Sequence, residues 1–178
     1  SCLMETIANE LKSSGIPSNH IYFFDLDSKD YHKITNPEQL EQLLESVPKV
    51  RGTKYLFIDE IQNVKDFELI LNSFRRSNEW SIFITGSNSY LLSGELMTKL
   101  TGRYIEFEML PLSFEEYEGI KKFYGKKIAP DRQEELQNYI LEGGFPRTIQ
   151  LENIAAKRRY VHSVIEEIFE KDISRRLK

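Results

Sequence analysis

The chain has 178 residues, of which 40% are hydrophobic and 12% aromatic, and its formal net charge is −4. This composition suffices for a globular domain with a sizeable core, excludes an intrinsically disordered chain, and gives no overall basic field for nucleic acid or anionic membranes. Because no apolar run approaches the ~20 residues that span a bilayer and no charged-then-apolar leader opens the chain, we expect a cytoplasmic protein with no membrane partner.

Strands and helices are predicted to alternate along the first part of the chain, to about residue 111. Apolar residues at intervals of three and four indicate helices, and short apolar runs rich in β-branched and aromatic residues indicate buried strands. The predicted helices cover residues 1–14, 37–47, 67–74 and 95–100, and the predicted strands cover residues 21–26, 55–58, 80–84 and 104–109. The last of these strands alternates polar and apolar residues, as a strand with one wet face does. The order predicts a parallel sheet flanked by helices.

Only helices are predicted after about residue 111. The predicted elements are a helix over residues 114–124, a second helix over residues 132–142, a turn over residues 145–147 and a long last helix from about residue 152. The first of these helices opens with a capping box, in which Ser113 and Glu116 exchange bonds with each other's backbone amides. The change of pattern predicts an α/β core over residues 1–111 and an all-helical region over residues 112–178.

Polar and charged residues stand at the ends of three predicted strands. Asp59 and Glu60 directly follow the second strand, residues 85–89 follow the third, and Arg103 precedes the fourth. Ligands of open parallel sheets bind outside the carboxyl ends of the strands. Phosphoryl transfer requires a carboxylate for magnesium, an acceptor for the attacking water, a polar residue at the γ-phosphate and a cation. The three strand ends carry these residue types, whereas Asp59 and Glu60 taken alone could be an ordinary strand end that caps the next helix.

These segments together resemble the AAA+ branch of P-loop ATPases, in particular a prokaryotic group with a helical lid that is often joined to an uncharacterised C-terminal domain. The matching segments are residues 56–62 for the Walker B strand, 84–88 for the sensor-1 strand, 101–103 for the arginine finger and 143–146 for a lid turn. The resemblance implies a P-loop NTPase-like parallel sheet flanked by helices. It also implies that residues 112–178 form a C-terminal, all-helical lid.

The resemblance further implies binding of ATP and Mg2+ and gives individual residues roles. Asp59 would hold Mg2+ through water, Glu60 would polarise the attacking water, and Asn88 would contact the γ-phosphate or that water. Arg103 would act in the site of a neighbouring subunit, which implies a homo-oligomer, because such a finger cannot reach its own nucleotide. Three residues compete for the sensor-2 role: Arg147, Arg175 and Arg176.

The phosphate-binding fingerprint of P-loop proteins, G-x-x-x-x-G-K-[ST], is absent from these 178 residues. If its glycines and lysine immediately precede residue 1, then Ser1 is the Ser/Thr of the motif and a ligand of Mg2+, and the first helix faces the phosphates. The alternative is that Ser1 is a cloning remnant before an unrelated helix. In either case the core lacks the phosphate loop and the strand before it. We therefore expect this chain alone to bind ATP weakly or not at all and to be inactive.

Three functions are open at this point. The first is an ATPase module that couples hydrolysis to movement of a protein partner or a fused C-terminal domain. The second is a non-catalytic module of the same fold that binds protein or DNA, in which Asp59 and Glu60 are structural caps. The third is an ATPase coupled to a nuclease-like domain beyond residue 178. DNA binding is unsupported, because the basic residues 157–159 share their helix with many acidic residues.

Overall fold

The computed structural model of the protein describes residues 2–86 and 104–169. Contacts between residues divide the chain into two units, residues 1–104 and 105–178. Several residues to which the resemblance gives a role lie outside the described residues, namely Ser1, Asn88, Arg103, Arg175 and Arg176, as does the helix predicted over residues 95–100. The predicted boundary at residue 111 and the lid role of the second unit stay predictions.

Among the residues that the structure describes, three parallel strands form a sheet in the first unit, in the order β1-β2-β3. The strands are β1 over Ile21–Asp25, β2 over Lys54–Asp59 and β3 over Trp80–Ile84. The central strand is therefore β2, and its Phe57 lies in register with Phe23 on one side and Phe83 on the other. The first three predicted strands are confirmed, and with them an α/β core built on a parallel sheet.

Helices cover both faces of this sheet. They are α1 over Cys2–Ser13, α2 over Pro37–Glu45 and α3 over Phe67–Arg76. Successive side chains of a strand point to opposite faces. Leu56 and Ile58 accordingly lie in one buried cluster with residues of α2 and α3, whereas Phe57 is buried against Met4 and Ala8 of α1. Burial on both faces explains why β2 reads as an unbroken apolar run.

Helix starts that were predicted from capping residues are confirmed. The Asn36 side chain accepts a hydrogen bond from the Gln39 backbone N–H at 3.0 Å, directly before α2. In the capping box, Ser113 Oγ accepts from the Glu116 N–H at 3.3 Å and Glu116 Oε2 accepts from the Ser113 N–H at 2.8 Å. These bonds satisfy amides that have no partner within the helix, and each cap is worth about 0.5–2 kcal/mol.

The second unit is helical wherever it has regular structure among the described residues. Its helices are α4 over Phe114–Phe123, α5 over Arg132–Glu142, α6 over Pro146–Gln150 and α7 over Ile154–Ile168. The turn predicted over residues 145–147 is instead the start of α6, because Pro146 at the first helical position already has the φ of a helix. Within residues 2–86 and 104–169, no helix combines the length and apolar character needed to cross a membrane.

The strand predicted over residues 104–109 is wrong. This segment has no regular secondary structure, and the side chains of Ile105 and Phe107 are 82% and 78% exposed. Alternating polarity measures how well a segment fits a half-buried sheet surface, but a strand forms only where a partner supplies its hydrogen bonds.

A buried ion pair joins α4 and α5 within the second unit. Lys121 Nζ contacts Glu135 Oε1, and Glu135 Oε2 accepts a hydrogen bond from the Ala129 N–H at 2.7 Å. Burial by itself raises the pKa of the Glu135 carboxyl, but the Ala129 amide and the Lys121 ammonium outweigh burial and hold that pKa below its usual value. Tyr117 is fully buried beside this pair and donates to Glu142 Oε2 at 2.8 Å.

Candidate functional site

The carboxylate of Asp59 lies at the carboxyl end of the central strand and is linked to the end of the neighbouring strand. Asp59 is only 7% exposed, and the hydroxyl of Thr85 donates a hydrogen bond to Asp59 Oδ1. The backbone fixes this approach, since the Thr85 N–H donates to the Ile58 carbonyl at 3.0 Å and the Ile61 N–H donates to the Thr85 carbonyl at 3.0 Å. A buried carboxylate needs such partners, because desolvation of its charge is otherwise too costly.

Thr85 is a residue whose role sequence reasoning missed. The sequence pattern places it among the polar residues after the third strand, in the segment that resembles the sensor-1 strand, and indicates no partner for it. Neighbouring parallel strands end at the same edge of a sheet, so the pairing of β2 with β3 was a usable signal. The same edge carries Asp25 at the end of β1, in register with Asp59. Asp25 Oδ1 accepts a hydrogen bond from the Asp27 N–H at 2.9 Å, within the turn that follows β1.

Glu60 has a backbone conformation that is unusual for its residue type. Its φ of 57° and ψ of 45° lie in the left-handed region, where a residue with a Cβ is disfavoured by about 1–3 kcal/mol. The next three residues form a short 3-10 helix over Ile61–Asn63. Strained residues of this kind concentrate at functional sites. Gln62 Nε2 donates a hydrogen bond to Glu60 Oε2, so the side chain two residues ahead folds back onto the carboxylate.

The first helix is directed with its N-terminal end toward this edge. At its C-terminal end, the N–H groups of Gly15 and Ile16 bond to the carbonyls of Lys12 and Leu11, and the 3-10 helix Ser18–His20 leads directly into β1. The C-terminal end of α1 therefore lies near the amino ends of the strands. Nearer its N-terminal end, Met4 and Ala8 lie in one buried cluster with Phe57, two residues before the end of β2, so α1 runs along the sheet toward its carboxyl edge.

The structure brings together two of the predicted site residues, Asp59 and Glu60. Asn88, Arg103 and Ser1 lie outside the described residues, and their assigned roles stay predictions. Arg147, the sensor-2 candidate within the described residues, belongs to α6 of the second unit, where its guanidinium lies 5.7 Å from the centre of the Tyr160 ring. Such a contact is a cation–π interaction.

The donor set at this edge fits Mg2+ and does not resemble a site built only from protein ligands. In residues 2–86 and 104–169, no three His, Cys, Asp or Glu side chains form a group that could hold a metal ion. Magnesium ions in phosphate-handling sites take one or two carboxylates and complete their octahedron with phosphate oxygens and water. A single buried carboxylate, Asp59 oriented by Thr85, meets that requirement.

Comparison with known proteins identifies a family that most of the chain matches. Residues 1–118 match the family described as AAA domain. An uncharacterized protein of Haemophilus influenzae is 34% identical over 178 residues, covering 99% of this chain and 44% of that protein. An uncharacterized protein of Methanocaldococcus jannaschii is 35% identical over 144 residues, covering 78% of this chain and 32% of that protein. The chain thus spans less than half the length of these curated relatives. No solved structure matches it.

Proposed function

The chain belongs to the AAA domain family of P-loop-type ATPases, and from this premise we propose that it binds and hydrolyses ATP as the core of a larger protein. Hydrolysis is proposed to drive movement of a partner or a fused domain. The observation that carries the proposal is the pair Asp59 and Glu60 at the carboxyl end of the central parallel strand, with Thr85 of the neighbouring strand end bonded to Asp59. Nucleotide sites of open α/β sheets lie at this edge.

The two carboxylates have different proposed roles. Asp59 orients the water shell of Mg2+, and the ion when bound neutralises charge on the β- and γ-phosphates. Glu60 accepts the proton of the attacking water while the water oxygen bonds to the γ-phosphorus and the bond to the β-phosphate oxygen breaks. The electron pair of that bond leaves with ADP. Asn88 is proposed to contact the γ-phosphate or the water.

Two further residues complete the proposed site from outside the described ranges. Arg103 is proposed to stabilise transition-state charge in the site of a neighbouring copy, so that the active protein is a homo-oligomer. Ser1 is proposed as the hydroxyl ligand of Mg2+ at the end of a phosphate loop whose glycines and lysine come before it. The packing of α1 supports the second assignment, because Met4, near its N-terminal end, lies in one buried cluster with Phe57, two residues before Asp59.

The phosphate loop can be tested with the 178-residue chain. Without the glycines and lysine, the chain should bind ATP very weakly, and isothermal calorimetry should detect no heat of binding at micromolar ATP. The full-length protein, as encoded by its gene, should bind ATP under the same conditions. Micromolar affinity in the 178-residue chain would show that its phosphate contacts come from residues other than the proposed loop.

The catalytic role of Glu60 is tested by Glu60→Gln in the full-length protein. The variant should bind ATP within about twofold of the unaltered protein and hydrolyse it at least about tenfold more slowly, because the base is lost while the magnesium site is kept. Glu45→Gln is the matched control, since it makes the same chemical change at an exposed position at the end of α2. Unchanged turnover of Glu60→Gln would remove Glu60 from the mechanism.

A second candidate is a non-catalytic module of the same fold that binds a protein partner. The observation in its favour is that both carboxylates have partners inside the chain, Thr85 for Asp59 and Gln62 for Glu60, as structural caps would. Measurements of ATP binding and of phosphate release separate the two candidates. A full-length protein that shows no ATP binding by calorimetry and no phosphate release would favour the second.

A further inference from the structure

The side-chain amide of Gln62 has one polar contact and one polar atom without a partner. Its nitrogen donates to Glu60 Oε2. Its oxygen is buried and has no hydrogen-bond partner among the described residues. Buried polar atoms are nearly always satisfied, so an amide oxygen in this state calls for a physical reason.

The carboxylate of Glu60 supplies that reason. A carboxylate only accepts hydrogen bonds, whereas an amide presents a donor at its nitrogen and an acceptor at its oxygen. With the amide rotated the other way, the Gln62 oxygen would face the Glu60 oxygen, and two acceptors would repel. The contact with Glu60 therefore decides the orientation of the amide, even though this orientation leaves its oxygen without a donor.

The backbone shows that this contact is built into the turn. The left-handed conformation of Glu60 starts the 3-10 helix, which is closed by the Asn63 N–H bonding to the Glu60 carbonyl at 3.0 Å. Ile61 is fully buried and anchors the turn in the core. Gln62 is thus held at a fixed position two residues beyond Glu60. A glycine would adopt the conformation of residue 60 without strain, but it would carry no carboxylate.

We infer that Gln62 positions Glu60. The Gln62 amide fixes the rotation of the Glu60 carboxylate, which follows Asp59 in the chain. This inference rests on the proposed function, in which Glu60 is the base for the attacking water. General-base catalysis depends on alignment, because proton transfer requires the acceptor within hydrogen-bond reach of the water. Loss of Gln62 should therefore slow the chemical step and leave ATP binding intact.

The test uses Gln62→Met in the full-length protein. Methionine keeps nearly the volume of glutamine and removes both polar atoms of the amide. Methionine loses the bond to the Glu60 carboxylate but also removes the buried oxygen that has no donor, so the two effects on the free energy of unfolding oppose each other and we expect little change in the thermal unfolding midpoint. The turnover number should fall at least about tenfold, the fold-change at the lower end of the range for one hydrogen bond to a charged group, with KM for ATP within about twofold.

The matched control is Asn63→Ala, in the same turn. The Asn63 amide donates to Asp27 Oδ1 at 2.8 Å and serves the turn after β1. This variant should keep its turnover number within about twofold, whereas a general disturbance of the turn would lower it. An equal loss in Asn63→Ala and Gln62→Met would overturn the positioning role.

A double variant separates positioning from general structural support. Residues that act as one unit are non-additive, so Glu60→Gln with Gln62→Met should hydrolyse ATP at the rate of Glu60→Gln alone. A further tenfold loss would show that Gln62 acts independently of Glu60 and would overturn the inference.

Failure of the inference can be told apart from failure of the proposed function. Wild-type turnover in Gln62→Met, or a raised KM with an unchanged turnover number, overturns the positioning role while slow turnover in Glu60→Gln keeps the ATPase proposal. Full turnover in Glu60→Gln overturns the proposed mechanism itself, and the positioning role with it.

Discussion

Replacement of Glu135 by glutamine should destabilise the second unit strongly. The Glu135 side chain is fully buried and accepts hydrogen bonds from Lys121, from the Ala129 N–H and, at 3.5 Å, from Asn138. Glutamine keeps the shape but leaves the Lys121 ammonium, itself only 7% exposed, without a counter-charge. Loss of one partner of a buried pair costs about 3–5 kcal/mol. The Tyr117 ring, whose centre is 5.0 Å from Lys121 Nζ, retains some cation–π attraction, so we expect about 3 kcal/mol.

Native-state hydrogen exchange is the assay, because it reports opening of one unit by itself. A loss of about 3 kcal/mol corresponds to about 10²-fold faster exchange of the amides of α4 and α5. Glu134→Gln is the control, since Glu134 is the exposed neighbour on the same helix. Removing both charges, with Lys121→Met and Glu135→Leu together, should cost far less than Glu135→Gln, because no charge is left buried and unpaired.

The same pair predicts a pH dependence. The pKa of Glu135 is lowered in the folded unit, so the unfolded chain binds more protons in the acidic range. The stabilisation is therefore fully present above the unfolded carboxyl pKa and is lost as the pH falls through the lower, folded pKa. Glu135→Gln should lose this acidic dependence. Amide exchange rates of Glu135→Gln within about twofold of those of the unaltered protein would refute the reasoning. Equal losses in the free energy of opening for Glu135→Gln and for the variant with both Lys121→Met and Glu135→Leu would refute it as well.

Substitutions at Thr85 and at two glycines test other contacts. Thr85→Val removes the hydroxyl that donates to Asp59 and keeps nearly the same volume, so the free energy of unfolding of the first unit in urea should fall by about 1.5–3 kcal/mol. Thr85→Ser keeps a hydroxyl and should largely avoid this loss. Equal urea midpoints for the two variants would contradict the bond. Gly144→Ala would place a Cβ 2.8 Å from the Leu112 carbonyl oxygen and should lower the thermal unfolding midpoint. In Gly119→Ala, the new Cβ in α4 meets nothing within 4 Å, so the free energy of unfolding should rise by about 0.5–1 kcal/mol. The opposite order of stability would contradict the close approach at Gly144.

Local patterns were sufficient for most elements of the fold. The apolar runs predicted β1, β2 and β3 within one or two residues. The run is unbroken from Tyr55 to Ile58 in β2, which is buried on both faces, whereas β3 is half-buried and contains Ser81. Asn36 and Ser113 predicted helix starts, since a cap satisfies backbone amides a few residues ahead and needs no distant partner. The placement of Asp59 and Glu60 at a strand end also follows from the sequence, as does their resemblance to an ATPase site.

Local sequence sets the periodicity of each segment, the caps and the order of the elements, because each depends on neighbours within one turn or one strand. Packing in three dimensions sets which distant groups meet. The bond from Thr85 to Asp59 and the ion pair of Lys121 with Glu135 depend on packing between separate elements. The segment over residues 104–109 has the alternation of a strand and is not one, because strand formation requires hydrogen bonds from a partner, and no local pattern specifies a partner.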